Sequence, residues 1–457
     1  MTSERRVIAR HAATVYVGQM AVMAFGVTDT IVAGRFAEGA LAALSVGSAI
    51  FISVFVSLMG ALQALLPIWA ELHGARRTEE VGRSVRQSMY VCGAAIALGM
   101  AILLFPAPML RWTHVPEGMR GDVEAYLRVL AFALAPALLF RVFSTLNQSL
   151  GKPQLVTWLQ LASLGVKLPL SIWFTFGGAG VPAMGVVGCG WATLVVNYTM
   201  LGAAIWLLRT EATFRALRFW QRIEPPDWAQ IRQFARLGVP AGLAVLVEVT
   251  SFTLMALFIA RLGTTATAAH QIAANLTAVA YMVPLSLAIA TSARVSFWLG
   301  AGDALLARRA GRKGFELTLC CALLVAGAMA LLRWQLAGIY SANPSVVALG
   351  ATLLLATSVY HFADALQTHC VFVLRCYQVT VAPLILYCGL LWGVGLGGSY
   401  LLAYRGIGAW APMQSPLAFW LMSAAALFVT ALLFLALLAR TIVRPRRRPR
   451  PRPRAAG

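Results

Sequence analysis

The stretch AGLAVLVEVTSFTLMALFIA, residues 241–260, is a run of apolar and small residues that contains a single acid, Glu248. No Lys or Arg lies within ten residues of Glu248 on either side. A helix needs about 20 mostly apolar residues to cross a bilayer, so this run predicts a membrane-spanning helix. A charged side chain at the centre of such a helix costs at least about 2.5 kcal/mol. The sequence therefore predicts that another group or a bound cation offsets the charge of Glu248.

The rest of the chain has the same character. Of its 457 residues, 60% are hydrophobic and 12% are charged, and its mean hydropathy is +0.76. Soluble domains carry about 25% charged residues, so we predict an integral membrane protein. Strands are excluded because the apolar segments are long and show no two-residue alternation. The twelve predicted segments are 8–34, 42–70, 88–110, 125–149, 154–176, 184–208, 235–260, 267–299, 315–339, 347–374, 381–403 and 414–439.

The net charge of +21 is distributed unevenly among the loops. The side that holds both termini carries most of the Lys and Arg, and the opposite loops carry few. Since cytoplasmic loops of membrane proteins are enriched in Lys and Arg, we predict that both termini are cytoplasmic. The Pro/Arg-rich residues 441–457 predict a disordered basic tail that contacts anionic membrane lipids. We expect no nucleic-acid partner.

An internal repeat divides the chain into two halves. With a shift of 226 residues, GRFAEGALAALSVG (34–47) aligns with ARLGTTATAAHQIA (260–273), and Gly74 aligns with Gly300. We predict an all-α membrane protein with two repeat-related six-helix bundles around a central cavity, an architecture expected of alternating-access transporters. The N-terminal lobe covers residues 1–222, with a linker at about 209–232, and the C-terminal lobe covers 223–440.

The sequence resembles the multidrug and toxic compound extrusion (MATE) family, in particular its NorM-like bacterial branch. The resemblance rests on VTDTIVAGR, LGVPAGLAVLVEVTSF, GTTATAAHQIAANL, MVPLSLAIATSARVSFWLG and YHFADALQ, among other segments between about residues 14 and 440. It implies export of organic cations or drugs, driven by inward movement of Na⁺ or H⁺. We expect no cofactor besides this coupling ion, and a monomer.

Two acids lie near the middle of their predicted segments, Glu248 in the seventh and Asp364 in the tenth. Tyr360, Asp364, Gln367 and Thr368 share one face of a helix and predict a polar stripe that faces protein or water. Such a stripe is also typical of a hydrogen-bonded seam between helices. Alternatively, the two carboxylates hold a Na⁺ or a proton between them. The resemblance places a cation site at these positions, with Tyr360 beside them, and we expect no other metal site.

Several side chains are candidates for the substrate cavity between the lobes. Gln271 resembles a cavity position of the family, and Asn275 lies one helical turn further on. Phe252, Met255 and Tyr281 offer apolar and cation–π contacts to an organic cation. Each of these residues is also compatible with ordinary packing between helices.

The N-terminal half contains one departure from the family. The resemblance implies a functional role for Asp29, but Lys167 and Ser171 stand where the NorM-like pattern has two asparagines. A lysine deep in a membrane segment needs a partner, and Asp29 is the acid of that half at comparable depth. We hypothesise an Asp29–Lys167 pair, which leaves ion coupling to Glu248 and Asp364. The alternative is that Lys167 extends outward to water and pairs with nothing.

The other charges within the segments are expected to reach water, and the alternative for Arg294 is a brace at the inner gate. Arg141, Arg294 and Arg375 lie towards the cytoplasmic ends of their segments, where long side chains reach water.

The sequence therefore predicts a secondary active antiporter. One alternative is a flippase for lipid-linked precursors, which requires a strongly cationic cavity. A membrane-embedded enzyme is a more remote alternative, because no nucleophile–base pair or metal-ligand cluster is evident in the segments.

Overall fold

The computed structural model describes residues 4–112, 117–178, 180–406, 408 and 411–443. This part of the chain is almost entirely helical, and twelve of its helices are long and apolar enough to cross a membrane, as predicted. Most of the predicted basic tail, from residue 444 onward, lies outside the described residues. The twelve helices are α1 (Glu4–Phe36), α2 (Glu38–Gly74), α3 (Thr78–Leu104), α4 (Glu117–Ser149), α5 (Gln154–Phe176), α6 (Val186–Thr210), α7 (Trp228–Ala260), α8 (Thr264–Gly300), α9 (Ala304–Leu331), α10 (Pro344–Cys376), α11 (Val381–Arg405) and α12 (Pro416–Val443).

Polar capping residues fix the starts of three helices in the second half. The carboxylate of Asp227 accepts hydrogen bonds from two backbone N–H groups at the start of α7. Asp303 caps α9 in the same manner, and Asn343 caps α10, whose first residue is Pro344. Each cap satisfies backbone donors that the first helical turn leaves free. The polar residues between apolar runs therefore define where these membrane helices begin.

The helix starts follow the internal repeat. The third helix of each half, α3 and α9, begins at Thr78 and Ala304, which differ by 226 (304 − 78). A short helix follows each of them, Ala107–Trp112 and Arg333–Tyr340, and these starts also differ by 226 (333 − 107). The sequence predicted a single span at each of these places. In the structure, the helix ends before the short helix begins.

The two halves form separate apolar cores. One cluster of buried side chains comes from residues 32–234 and includes Trp69, Tyr126 and Phe143. The other comes mainly from residues 244–438 and includes Tyr360 and Trp420. The chain therefore folds into two bundles, each of which has its own interior.

The bundles contact each other in the half of the molecule nearer the two ends of the described chain. Ile8 and Ala12 of α1 pack against Leu287 and Ala290 of α8. On α2 and α8 the contact is between backbones: a Cβ atom at Gly74 would lie 1.9 Å from the carbonyl oxygen of Phe297.

The reciprocal approach occurs on the other helix of this crossing. A Cβ atom at Gly300 would lie 1.8 Å from the carbonyl oxygen of Glu71. Both distances are far shorter than any real Cβ contact, so only glycine permits this crossing of α2 and α8.

Charged pairs join the bundles at the same end. The carboxylate of Glu4 on α1 accepts hydrogen bonds from Arg294 on α8, at 2.6 Å and 3.1 Å. Arg5 of α1 pairs with Glu316 of α9. These contacts and the glycine crossing close the space between the bundles at the end that carries both termini.

The segment between α6 and α7 is attached to α3. Arg86 donates from Nε to Oε2 of Glu224 at 3.0 Å, and its Nη2 also donates to this carboxylate. Tyr90 donates to the carbonyl oxygen of Glu224 at 2.9 Å, and the side-chain oxygen of Gln87 accepts from the N–H of Asp227 at 2.9 Å. The predicted linker is therefore held against the N-terminal bundle as far as Asp227.

Candidate cation and substrate sites

The first candidate site lies inside the C-terminal bundle, between α7, α10, α11 and α12. On α10, Asp364 is 2% exposed, and its Oδ1 accepts a hydrogen bond from Nε2 of Gln367 at 2.8 Å. The Oε1 of Gln367 accepts a hydrogen bond from the hydroxyl of Tyr387 on α11. This chain of hydrogen bonds fixes Asp364 in the bundle interior.

Glu248 has a different environment. Among the residues that the structure describes, its side chain makes no hydrogen bond or ion pair. It lines a small cavity with a volume of about 30 Å³. This is enough space for one or two waters or a single dehydrated ion. The lining residues are Glu248, Ser251, Phe252, Met255, Tyr360, Leu391, Gly395, Leu396, Ser423, Ala426 and Leu427.

The backbone of α11 widens beside this cavity. Residues Cys388–Gly397 form a π-helix, which supplies Leu391 and Gly395 to the lining. A π-helical stretch is uncommon and is often found at functional sites. The wider turn places a glycine, with no side chain, in the lining of this cavity.

Two aromatic rings, those of Phe252 and Trp420, position Tyr360 at the edge of the cavity. The ring of Tyr360 meets that of Trp420 at a centroid distance of 5.4 Å and that of Phe252 at 5.8 Å, both edge-to-face. Phe252 and Trp420 also contact each other, at 6.2 Å. Edge-to-face packing of this kind favours a fixed orientation of each ring.

The charges around Glu248 come from α10. Asp364 and Arg375 both lie close enough to Glu248 to act on its charge, the first unfavourably and the second favourably. Tyr281 of α8 and Tyr387 of α11 lie close to both Glu248 and Arg375. The polar side chains of four helices therefore converge on one region of the bundle.

The second candidate site lies in the N-terminal bundle and is already filled. The side chain of Lys167 is 0% exposed, and its Nζ lies 2.7 Å from Oδ1 of Asp29. Nζ also donates to Oγ1 of Thr193 at 2.7 Å and to the carbonyl oxygen of Cys189 at 3.1 Å. The hydroxyl of Ser171 donates to the same Oδ1 of Asp29 at 3.0 Å.

These contacts leave no free donor on the ammonium group, which has three N–H bonds. The structure therefore brings Asp29 and Lys167 together, as hypothesised. It does not place Lys167 in an outward-extended position.

The residues predicted for the substrate cavity do not lie together. Phe252 and Met255 line the cavity inside the C-terminal bundle, and Met255 is buried. This differs from the predicted place between the lobes, because these positions on α7 face α10 and α12 rather than the other bundle. Tyr281 is partly buried near Glu248, Asp364 and Thr368. Only Gln271 and Asn275 are exposed.

The sequence analysis missed three residues of the first site, Tyr387, Arg375 and Trp420, and Tyr387 donates a hydrogen bond to Gln367. Arg375 was assigned no role, but it is 5% exposed and therefore does not reach water. Eleven residues separate it from Asp364, which is three helical turns, so the polar stripe of α10 could have been extended to it. Trp420 was not considered, and the apolar pattern of α12 contains no signal for its contact with Tyr360.

Among the described residues, no group of three or more His, Cys, Asp or Glu side chains is arranged to hold a metal ion. A site for a monovalent cation at Glu248 and Asp364 does not need such a group, because carboxylate, hydroxyl and backbone carbonyl oxygens are all ligands for hard cations. The residues present are therefore compatible with either Na⁺ or H⁺.

Comparison with known proteins places the chain in a family. A family model described as MatE matches residues 15–173 and 240–401. A "Probable multidrug resistance protein NorM" from Chromobacterium violaceum is 37% identical over 443 residues, which cover 96% of this chain and 94% of that protein. A protein of the same name from Aromatoleum aromaticum is 34% identical over 438 residues, with 95% and 94% covered.

Solved structures share the fold. The eukaryotic MATE transporter AtDTX14 superposes with a TM-score of 0.85 at 17% identity, over 96% of this chain and 97% of that chain. The Vibrio cholerae MATE transporter VcmN in its bent form gives a TM-score of 0.81 at 17% identity, over 96% and 97%. The chain is thus a member of the MatE family, and it is a multi-pass membrane transporter rather than an enzyme.

Proposed function

We propose that the protein is a secondary active antiporter that exports organic cations, including drugs, across a bacterial inner membrane in exchange for Na⁺ or H⁺. The names of its relatives support a drug substrate. The excess of Lys and Arg on the side of the termini supports a cytoplasmic location of both ends. Export then proceeds from the terminal side to the opposite side.

One observation carries this proposal. Glu248 lines a cavity inside the bundle with no partner among the described residues, although Asp364, a second carboxylate, lies close by. Two carboxylates so near each other repel, and an uncompensated charge is costly in a membrane. A Na⁺ or a proton taken up at Glu248 and Asp364 removes both costs.

The arrangement of the bundles supports the direction of loading. The contacts between the lobes begin at the terminal end and extend to Gly60 of α2 and Val245 of α7, so the space between the lobes is closed on the proposed cytoplasmic side. A coupling cation therefore enters from outside in this state. In the opposite state, an organic cation enters from the cytoplasm, in contact with the exposed Gln271 and Asn275.

The N-terminal site contributes no coupling ion in this proposal. Asp29 already holds a cation, the ammonium of Lys167, at 2.7 Å. Since all three donors of this ammonium are used inside the bundle, another cation would have to displace a covalently attached one. Coupling is therefore assigned to Glu248 and Asp364.

The test uses purified protein in liposomes with ethidium as the organic cation. A Na⁺ gradient alone and a pH gradient alone are each applied, and we expect at least one of them to drive ethidium transport. Glu248→Gln and Asp364→Asn should each lower the gradient-driven rate by about tenfold or more, the effect of losing about 1.4 kcal/mol or more of coupling interaction.

The control is Glu38→Gln, which neutralises an exposed acid at the start of α2. It should transport ethidium at the wild-type rate. Gradient-driven transport that survives in both Glu248→Gln and Asp364→Asn would contradict the proposed function.

A further inference from the structure

A groove between the two bundles, at the end that carries both termini, is lined mainly by cations. It has a volume of about 620 Å³, which is within the range of about 300–1,000 Å³ typical of small-molecule sites. None of its residues belongs to the sites around Glu248 and Asp29. Helix α1 of one bundle and helix α9 of the other supply the lining residues, which are Glu4, Arg5, Arg309, Arg312 and Lys313.

The cations of the groove are only partly neutralised. Glu316 of α9 accepts hydrogen bonds from Arg312 at 3.2 Å and from Lys313 at 2.9 Å, and it also pairs with Arg5 of α1. Three cations therefore share one carboxylate. In the described parts of the chain, Arg309 makes no hydrogen bond or ion pair, so its charge is left to the groove.

Glu4, the acid in the lining, is already paired. Its carboxylate accepts two hydrogen bonds from Arg294 of α8 and one from Nε1 of Trp298. The lining residues and their ion-pair partners are therefore five cations and two acids, which leaves a surplus of three positive charges. A phosphate group fits such a site, because its oxygens accept charge-assisted hydrogen bonds from several Arg and Lys side chains.

The surface of α9 indicates which phosphate compound fits. Arg309 and Lys313 are each followed, 11 residues or three helical turns later on the same face, by Cys320 and Leu324. Both of these residues are exposed, Leu324 to 67%. A charged helix end that continues into an exposed apolar face matches a phospholipid, in which the phosphate group is attached to acyl chains.

The position of the groove favours the same ligand. Basic pockets between membrane helices at the cytoplasmic side are typical sites for anionic headgroups, and the terminal side is the proposed cytoplasmic side. The chain itself does not offer a substitute, because residues 444–457 contain several arginines and no Asp or Glu.

We propose that this groove binds the phosphate group of an anionic membrane phospholipid. Because Arg5 belongs to one bundle and Arg309, Arg312 and Lys313 belong to the other, a phosphate group bound among them joins the bundles. A ligand that binds one arrangement of the bundles better than another shifts the population towards it. The lipid therefore stabilises the state in which the space between the lobes is closed at the terminal end. This inference depends neither on the coupling ion nor on the exported cation.

The experiment uses the purified full-length protein in an uncharged maltoside detergent. It is titrated with dioctanoyl phosphatidylglycerol, with dioctanoyl phosphatidylcholine and with inorganic phosphate, and the midpoint of thermal unfolding is measured. A ligand that binds only the folded state raises this midpoint. We expect a saturable rise with phosphatidylglycerol and no rise with either of the other two at the same concentrations.

Arg309→Gln is the test variant, because its side chain has no bond in the described structure whose loss would affect folding. We expect it to weaken phosphatidylglycerol binding about fivefold, the effect of one cation fewer beside a phosphate group. The matched control is Arg308→Gln, which removes the same charge from the neighbouring position. Arg308 donates to the carbonyl oxygen of Ile442 at 2.8 Å and does not line the groove, so its variant should bind like the wild type.

Amide hydrogen exchange tests whether the lipid joins the bundles. At a concentration near the wild-type Kd, phosphatidylglycerol should slow exchange in residues 71–77 and 297–303, where α2 and α8 cross. The effect should be much smaller in Arg309→Gln. Lipid binding that leaves this exchange unchanged would overturn the stabilisation of the closed state.

Three other results would overturn the lipid site. Equal binding of the two lipids would show that the phosphate charge is not recognised through the surplus cations. An equal effect of inorganic phosphate would identify the ligand as a free phosphate instead of a lipid. Equal losses of affinity in Arg309→Gln and Arg308→Gln would show that only the overall charge of this end matters. None of these measurements involves transport, so failure of the proposed antiport leaves them unaffected.

Discussion

Lys167 shows how a single residue changes the electrostatics of a bundle. Its ammonium is fully buried and bonded to Asp29, Thr193 and the Cys189 carbonyl, so its charge is compensated entirely within the protein. A buried pair of this kind adds little stability compared with apolar residues, but removing one partner is costly. We therefore interpret the pair as an internal ion pair in which the Lys167 ammonium occupies the N-terminal site.

Lys167→Met should destabilise the protein because it leaves Asp29 buried with only the Ser171 hydroxyl as a hydrogen-bond donor. The expected loss is about 3–5 kcal/mol, measured as a lower midpoint of thermal unfolding in detergent. Asp29→Asn combined with Lys167→Met should recover most of the loss. Lys152→Met, at an exposed lysine, serves as the control. An unchanged midpoint for Lys167→Met would show that Asp29 does not depend on the ammonium.

At the scale of residues, the sequence predicted those site residues whose charge is costly in the middle of a membrane helix. Glu248 and Asp364 were identifiable because carboxylates are rare in membrane helices, and Lys167 because a deep lysine needs a partner. Arg375 was not identifiable in this way, because an arginine near a helix end can either extend to water or fold back into the bundle. Only the packing of α7, α8 and α11 around it decides between the two.

Among the elements, the segment between α6 and α7 makes contacts that the sequence did not predict. Its length and polarity predict a linker between the lobes, and the structure attaches this linker to α3 through Arg86, Gln87 and Tyr90. Several of these hydrogen bonds go to backbone atoms of the loop. They cannot be predicted from the side chains of the loop residues. Helix positions, in contrast, follow from the lengths of the apolar runs and from polar caps such as Asp227 and Asn343.

This attachment should depend on pH. Hydrogen bonding from Arg86 holds the pKa of Glu224 below the usual range of a glutamate. A carboxyl whose pKa is lower in the folded state stabilises that state above its unfolded pKa, and this stabilisation is lost as pH falls through the folded pKa. Wild-type residues 211–227 should therefore exchange amide hydrogens more slowly than those of Glu224→Gln at neutral pH.

The difference between the two proteins should vanish in acid, below the lowered pKa of Glu224. Glu211→Gln, which changes an exposed acid at the start of the same segment, is the control and should match the wild type throughout. Equal exchange in the wild type and Glu224→Gln at neutral pH would mean that the Arg86–Glu224 pair does not hold the segment.

For the whole molecule, the repeat produces two bundles with similar backbones and different charges. The starts of α2 and α8 (264 − 38), and of α3 and α9 (304 − 78), differ by 226 residues, and the repeat was readable from the sequence. The charges do not follow the repeat, because the N-terminal bundle contains a closed pair and the C-terminal bundle contains two acids with a distant arginine. Transport by such a molecule requires that the contact between the bundles can open. The helix crossing at this contact is formed by repeat-related positions of the two halves.

Gly74 and Gly300 are repeat-related (300 − 74 = 226) and form this crossing, since a Cβ on either would overlap a carbonyl oxygen of the other helix. Gly74→Ala or Gly300→Ala should weaken closure at the terminal end by about 1–3 kcal/mol, the usual cost of overpacking. Hydrogen exchange in residues 71–77 and 297–303 should then accelerate, and gradient-driven ethidium export should slow because the closed state is less populated. Gly202→Ala on α6, where a Cβ meets nothing within 4 Å, should change neither measurement. If Gly74→Ala and Gly300→Ala, like the control, exchange and transport at the wild-type rate, the glycine crossing is not the gate.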